Sequence, residues 1–306
     1  MSGAPGRRAI AVLGVGGVGG LVAARTGALC IGTARTVEAI RRHGLRLAHD
    51  GATTVVRVDA DERLEQPVGV LVVAVKAYDL DDALARIEPS DLDHAVVLPL
   101  LNGLEHVGRI RARIDRSRAP SGVVAAGSIG AVEAVASEPG LVTQRTPGGV
   151  PRIAAASDVL GREALDRALS PLHVPGLELV LGEGERDVLW EKAARLAVVA
   201  AAAIARGRPV GELRRNPATR DAMRAALDEA VAVAAADGVE LAASGQWAII
   251  EGLAPDLVPS AARDAAAGRQ TELDAITGSV VRAGARLGVP TPALASLLAD
   301  AERALG

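Results

Sequence analysis

Two residues stand out for the chemistry they could do. Of the 34 lysines and arginines in the chain, only two are lysines, Lys76 in VAVKAYD and Lys192 in LWEKAARL. Arginine is effectively never deprotonated, whereas a desolvated lysine can give and take a proton near neutral pH. A composition that has drifted to arginine almost everywhere else marks the two lysines as candidates for proton chemistry, with chance survival as the alternative. Gly14, Gly16 and Gly19 spell G-x-G-x-x-G within GVGGVGG. In that spacing the first glycine permits a tight turn and the second lets backbone approach a pyrophosphate. The third lets a helix pack closely on the strand before it. Asn102, in LPLLNGLEH, is one of only two asparagines. It closes an apolar run, as Lys76 does, although an Asn-Gly pair also suits a plain turn.

Elements must hold these residues in place. Residues 8–13 (RAIAVL) read as a buried strand running into the glycines, with an Ala-rich helix after them. Residues 28–32 read as a second strand, with Thr36 as N-cap of a helix ended by Gly44. GLRLAHDGATTVVRVDA suggests a hairpin about Asp50-Gly51. VGVLVVAV (68–75) and HAVVLPLL (94–101) are buried strands, with DLDDALARI a helix between them. Continuous apolar strands alternating with helices predict a mostly parallel sheet covered on both faces. Strand ends in such a sheet line the ligand crevice, which is where Lys76 and Asn102 fall. The second strand leads into CIGTARTVE, with no acid before Glu38 and with Thr33 and Arg35 free to meet a 2′-phosphate. That favours NADP(H).

Beyond about residue 185 the pattern turns helical and Ala-rich. A boundary in LGEGERD gives a dinucleotide-binding domain at 1–184 and a helical substrate or dimerisation domain at 185–306, with the active site expected in the cleft between them. Hydrophobic residues make up 49% of the chain but aromatics only 1%, so the core must be built from Ala, Val, Leu and Ile. A net charge of −3 gives no reason to expect nucleic acid or an anionic membrane as partner. The single Cys30 fits a reducing compartment. Twin arginines before the first apolar stretch imitate an export signal, but glycines at five positions that a nucleotide-binding turn would use break that stretch. Cytoplasmic is the expectation. The five histidines show no metal-ligand spacing, and Trp190, Trp247 and Tyr78 are expected to pack rather than stack on bases.

GVGGVG, VAVKAYD, LPLLNGLEH, LWEKAARL and GRQTELDAITG occur in the order and at about the spacings of the 2-dehydropantoate 2-reductases (ketopantoate reductases), which the chain resembles from about residue 9 to about 303. The resemblance implies a Rossmann N-terminal domain, an all-α C-terminal domain of the 6-phosphogluconate dehydrogenase type, NADPH as hydride donor and a small carbonyl acid as substrate. It implies Lys192 as general acid and Glu272 as a nearby carboxylate that helps bind substrate. Lys76 and Asn102 would line the nicotinamide side, and Ser260 would help hold the substrate carboxylate. A monomer or a homodimer would fit.

Three positions depart from the family pattern. Asparagines usual four and eight residues after the catalytic lysine are here Leu196 and Ala200. The i, i+4, i+8 spacing predicts that both look into the same cleft as Lys192, making the pocket less polar. The arginine usual at the end of the second strand is replaced by Thr33, with Arg35 two residues on. Three readings follow: reduction of ketopantoate, reduction of a less polar 2-oxo or related carbonyl compound, or NADP(H) sensing without turnover.

Overall fold

The computed structural model describes residues 8–115, 122–146 and 149–306, so the export-signal reading rests partly on residues outside these. Two compact units emerge. One comprises the chain up to Leu101 together with His106–Val188; the other comprises Asn102–Glu105 together with Leu189–Gly306.

In the first unit the elements run β1 (Arg8–Leu13), α1 (Gly17–Thr26), β2 (Leu29–Ile31), α2 (Ala34–His43), β3 (Leu45–His49), β4 (Ala52–Val56), β5 (Ala60–Asp61) and β6 (Val68–Val73). They continue with α3 (Leu80–Leu84), β7 (Val96–Pro99), α4 (His106–Asp115), β8 (Val123–Val124), β9 (Ala126–Gly130), β10 (Ala134–Glu138) and β11 (Leu141–Gln144). After these come β12 (Arg152–Ala156), α5 (Arg162–Ala168) and β13 (Glu178–Leu181). Among the described residues, β5-β2-β1-β6-β7-β8 form a parallel sheet in that order. Strands buried on both faces cannot alternate polar with apolar, which is why β1 and β6 are almost purely aliphatic.

The hairpin forms where expected: β3 pairs antiparallel with β4, and Asp50 (φ 48°) and Gly51 (φ 77°) both take the left-handed region a two-residue turn needs. It belongs to a second sheet, β10-β11-β3-β4, and a third sheet runs β13-β12-β9. Neither extra sheet is anticipated by the sequence reading, because strands such as AVASE are short and half exposed. Thr36 is not the cap of α2. The helix begins two residues earlier with Thr33 at the N-cap, and the Thr33 and Thr36 hydroxyls lie 3.2 Å apart, bonding each other rather than the helix end. Cys30 is buried and its thiol is pushed up to about 12 by desolvation, so it is a core residue and no nucleophile.

In the second unit, α6 (Glu185–Arg206) continues from the first, followed by α7 (Val210–Arg215), α8 (Pro217–Ala236), α9 (Ala243–Gly252), α10 (Ser260–Ala266), α11 (Ser279–Leu287) and α12 (Pro292–Leu305). A π-helical turn, Asp274–Gly278, leads into α11. The core is largely alanine, valine and leucine, as a chain without phenylalanine requires. Trp190 anchors it, and its indole N–H donates to Asp237 at 2.8 Å. Trp247 is also buried and lies under the Arg224 guanidinium, 4.5 Å from the ring centroid. Tyr78, by contrast, is 39% exposed and is not the packing residue expected. It stands in a short 3-10 turn after β6, where only Ala77 is buried. Among the described residues no helix is long and apolar enough to cross a membrane.

Candidate active site

In the first unit the glycine turn is built as its spacing suggests, with a division of labour the sequence did not show. Gly14 has φ 93°, and its N–H donates to Ile31 at 2.9 Å, pinning the turn to β2. A Cβ on Gly19 would collide with the Gly14 carbonyl, so helix and turn touch there. A Cβ on Gly16 would meet nothing within 4 Å among the described residues, which leaves a bare backbone edge at the start of α1. That helix has no side-chain cap and no acid in its first turn, so its amides and dipole are open to an anion. Gly17 and Gly20, however, do not serve the turn. Their missing side chains make room for the Ala134 carbonyl of β10 and the Val142 side chain of β11. Three of the five glycines shape the turn, and two let the second sheet lie against α1.

Lys76 is half-buried three residues past β6, at the start of the 3-10 turn. Arg35 and Thr33 are both exposed at the head of α2, after β2.

In the second unit, Lys192 and Asn102 meet. The Lys192 ammonium donates to Asn102 Oδ1 at 2.8 Å, although ninety positions separate them in the chain. Burial, reinforced by repulsion from the Arg195 guanidinium and opposed by Glu272, pushes Lys192 down from 10.5 to about 8. Glu272 is buried, 3% exposed, on the residue just before the helical turn that becomes π-helical. A lysine so placed can release or accept a proton near neutral pH.

The surroundings explain why these groups stay put. Gly103 (φ 91°) lies so close to the π turn that a Cβ would strike the Ala275 carbonyl. Glu105 takes a fork from Arg282, Nε to Oε1 at 2.9 Å and Nη2 to Oε2 at 2.8 Å, which holds its carboxyl below the usual range. Arg282 also grips Asp274 of the π turn at 2.6 Å. Asn102–Glu105 is thereby fastened to the segment that carries Glu272. Thr277, fully buried, donates its hydroxyl to the Ala197 carbonyl of α6 at 2.8 Å, tying the π turn to the lysine's own helix. None of these partners was legible beforehand. Glu105 sits inside a recognised motif, but Arg282 lies 177 residues away, and no local pattern announces such a pair.

Two expected site residues behave differently. Ala200 is fully buried in the helical core and offers no surface to a ligand. A helix gains about 40° for every four residues, so eight residues carry a side chain about 80° round from Lys192. Leu196, at half that drift, stays half-buried at the edge of the core. Ser260 is exposed at the first position of α10, whose N-cap is Pro259, and is neither a cap nor a partner of Lys192, Asn102 or Glu272 among the described residues.

Comparison with known proteins places these two constellations in one family. Residues 10–151 match the profile described as ketopantoate reductase PanE/ApbA, and residues 186–302 match the profile of its C-terminal domain. A curated 2-dehydropantoate 2-reductase of Caulobacter vibrioides is 30% identical over 95% of this chain and 97% of its own. The crystal structure of a PanE/ApbA family ketopantoate reductase from Ralstonia eutropha superposes with a TM-score of 0.81 at 28% identity, covering 97% of this chain and 98% of the other. A D-mandelate dehydrogenase solved with NADH and anilino(oxo)acetate shares the fold, with a TM-score of 0.81 at 24% identity over 97% and 98% of the two chains. Matched in both halves and across nearly all its residues, the chain belongs to the ketopantoate reductase family, oxidoreductases that interconvert a carbonyl and a hydroxyl group.

Proposed function

We propose that the protein reduces 2-dehydropantoate to pantoate with NADPH, using Lys192 as general acid. The observation that carries this reading is the Lys192 ammonium, held by Asn102 at 2.8 Å and tuned to about 8. NADPH, when bound, supplies the hydride that becomes the new C–H bond. As negative charge gathers on the substrate oxygen, Lys192 gives it the Nζ proton to form the hydroxyl, then recovers a proton from solvent. Asn102 aims the ammonium, and Glu272 offsets part of the cost of keeping it charged in a half-buried setting. The bare backbone at Gly16 and the uncapped, acid-free start of α1 fit a pyrophosphate. Thr33 and Arg35 are exposed and suit a 2′-phosphate, with no acid between β2 and Glu38 to favour NADH. Lys76 and Asn102 are assigned to the nicotinamide side, and Ser260 to the substrate carboxylate.

Leu196 favours a second reading. A half-buried leucine one turn from Lys192 suits a 2-oxo acid with a less polar side chain. NADPH consumption, with ketopantoate and then with less polar 2-oxo acids, tests both readings beside Lys192→Ala. Lysine-dependent turnover of ketopantoate supports the first. Lysine-dependent turnover only elsewhere in the panel supports the second. NADPH binding with no reduction of any carbonyl compound refutes both and leaves a sensor.

A further inference from the structure

Arg195 lies on α6 three residues after Lys192, so the two side chains emerge about one turn apart on neighbouring lines of the helix. Both of its hydrogen bonds are made by Nη1, one to the Glu191 backbone carbonyl and one to the side-chain oxygen of buried Gln246 at 3.1 Å. The other edge of the fork, Nε and Nη2, takes no partner among the described residues and is not among the sealed nitrogens that lack one, so both atoms keep some contact with solvent. Burial holds the guanidinium below its ordinary value, with Glu191 opposing. Such a cation, half-buried and already oriented by two neutral acceptors, meets no carboxylate hydrogen bond among the described residues. Arg195 and Glu272 both act on Lys192, and of the two only Arg195 can receive an anion.

We propose that Arg195 is a substrate-binding residue, whose open Nε/Nη2 edge clamps the carboxylate of a 2-oxo acid while Lys192 serves the adjacent carbonyl oxygen. This rests on the reductase reading and narrows it. A 2-oxo acid carries its two acceptors on neighbouring carbons, a span that side chains one turn apart can straddle. A planar fork suits a planar carboxylate, with two parallel hydrogen bonds fixing which face of the ketone is presented. Leu196, between Lys192 and Ala200 on the same helix, then borders the space for the rest of the acid. The clamp selects 2-oxo acids over ketones, esters and amides of equal size.

The test compares wild type, Arg195→Ala and Arg195→Lys on whichever 2-oxo acid the wild type reduces and on its methyl ester. For Arg195→Ala, assayed at about pH 6.5 where Lys192 keeps its proton in both proteins, the expected result is a KM for the acid raised on the order of 30-fold, with little change in kcat, in ester reduction or in NADPH affinity read by fluorescence. Guanidinium added to Arg195→Ala should restore acid turnover in part. Arg195→Lys, which keeps the charge but not the fork, should fall between the two and guards against a folding defect in the alanine variant. Equal losses on acid and ester, or no loss on the acid, overturn the clamp while leaving the reductase reading intact. Should the wild type reduce nothing, oxamate binding in the presence of NADP+, followed by calorimetry, decides the clamp separately. Weakened binding in Arg195→Ala sustains it, and no binding by wild type overturns it.

Discussion

With Lys192 as the proposed proton donor, its ionisation sets the expected pH dependence of reduction. Its pKa falls from 10.5 to about 8, chiefly by burial and then by Arg195, against the pull of Glu272. A general acid must hold its proton, so log(kcat/KM) for carbonyl reduction should be flat below pH 8 and fall with unit slope above it. The reverse oxidation needs the neutral amine and should rise through the same point. Charge removal nearby shifts the limb in opposite senses. Glu272→Gln deletes the group that favours the ammonium and should lower the limb. Arg195→Ala deletes a like charge and should raise it. Each displacement is on the order of one unit for groups at such close range. The folded value lies below that of free lysine, so burying the charged form costs about 3 kcal/mol below pH 8. That cost disappears as pH rises from 8 to 10.5, a window in which unfolding should take up about one proton at this site. Initial rates across pH 6–10.5, in both directions and for all three proteins, check the scheme. A limb that stays put in both variants, or moves the same way in both, would refute the assignment of the proton to Lys192.

Two further substitutions separate binding from packing. Gly16→Ala adds a methyl where nothing lies within 4 Å, so thermal stability should hold while NADPH affinity falls. Gly17→Ala drives a methyl into the Ala134 carbonyl and should cost about 1–3 kcal/mol of stability, visible as a lower Tm without any nucleotide present. Thr277→Val removes the hydroxyl that ties the π turn to Ala197, leaving a buried carbonyl short of one partner. It should cost about 1–2 kcal/mol in denaturant unfolding and reduce kcat through a less firmly held Glu272, with NADPH affinity unchanged.

By itself the sequence determined whatever is local. Strand, glycine turn and helix at 8–26 follow from aliphatic continuity and a spacing that few backbones other than a nucleotide-binding turn require. The Asp50-Gly51 hairpin follows from residues that tolerate positive φ, and the scarcity of lysine singles out Lys76 and Lys192 alike. Tertiary structure decided the rest, because each remaining answer depends on which distant surface a residue meets. Gly17 and Gly20 look identical to their neighbours in the string, and only the second sheet gives them a different task. Ala200 is counted with Leu196 by spacing but is carried into the core by the drift of the helix. Asn102 closes a strand of the first unit in sequence, yet Gly103, Glu105 and Arg282 fasten its segment among the helices beside Lys192. Local propensity cannot encode a contact between residues ninety or more positions apart; only the packed chain brings a carboxamide to a lysine and sets that lysine's proton free near neutral pH.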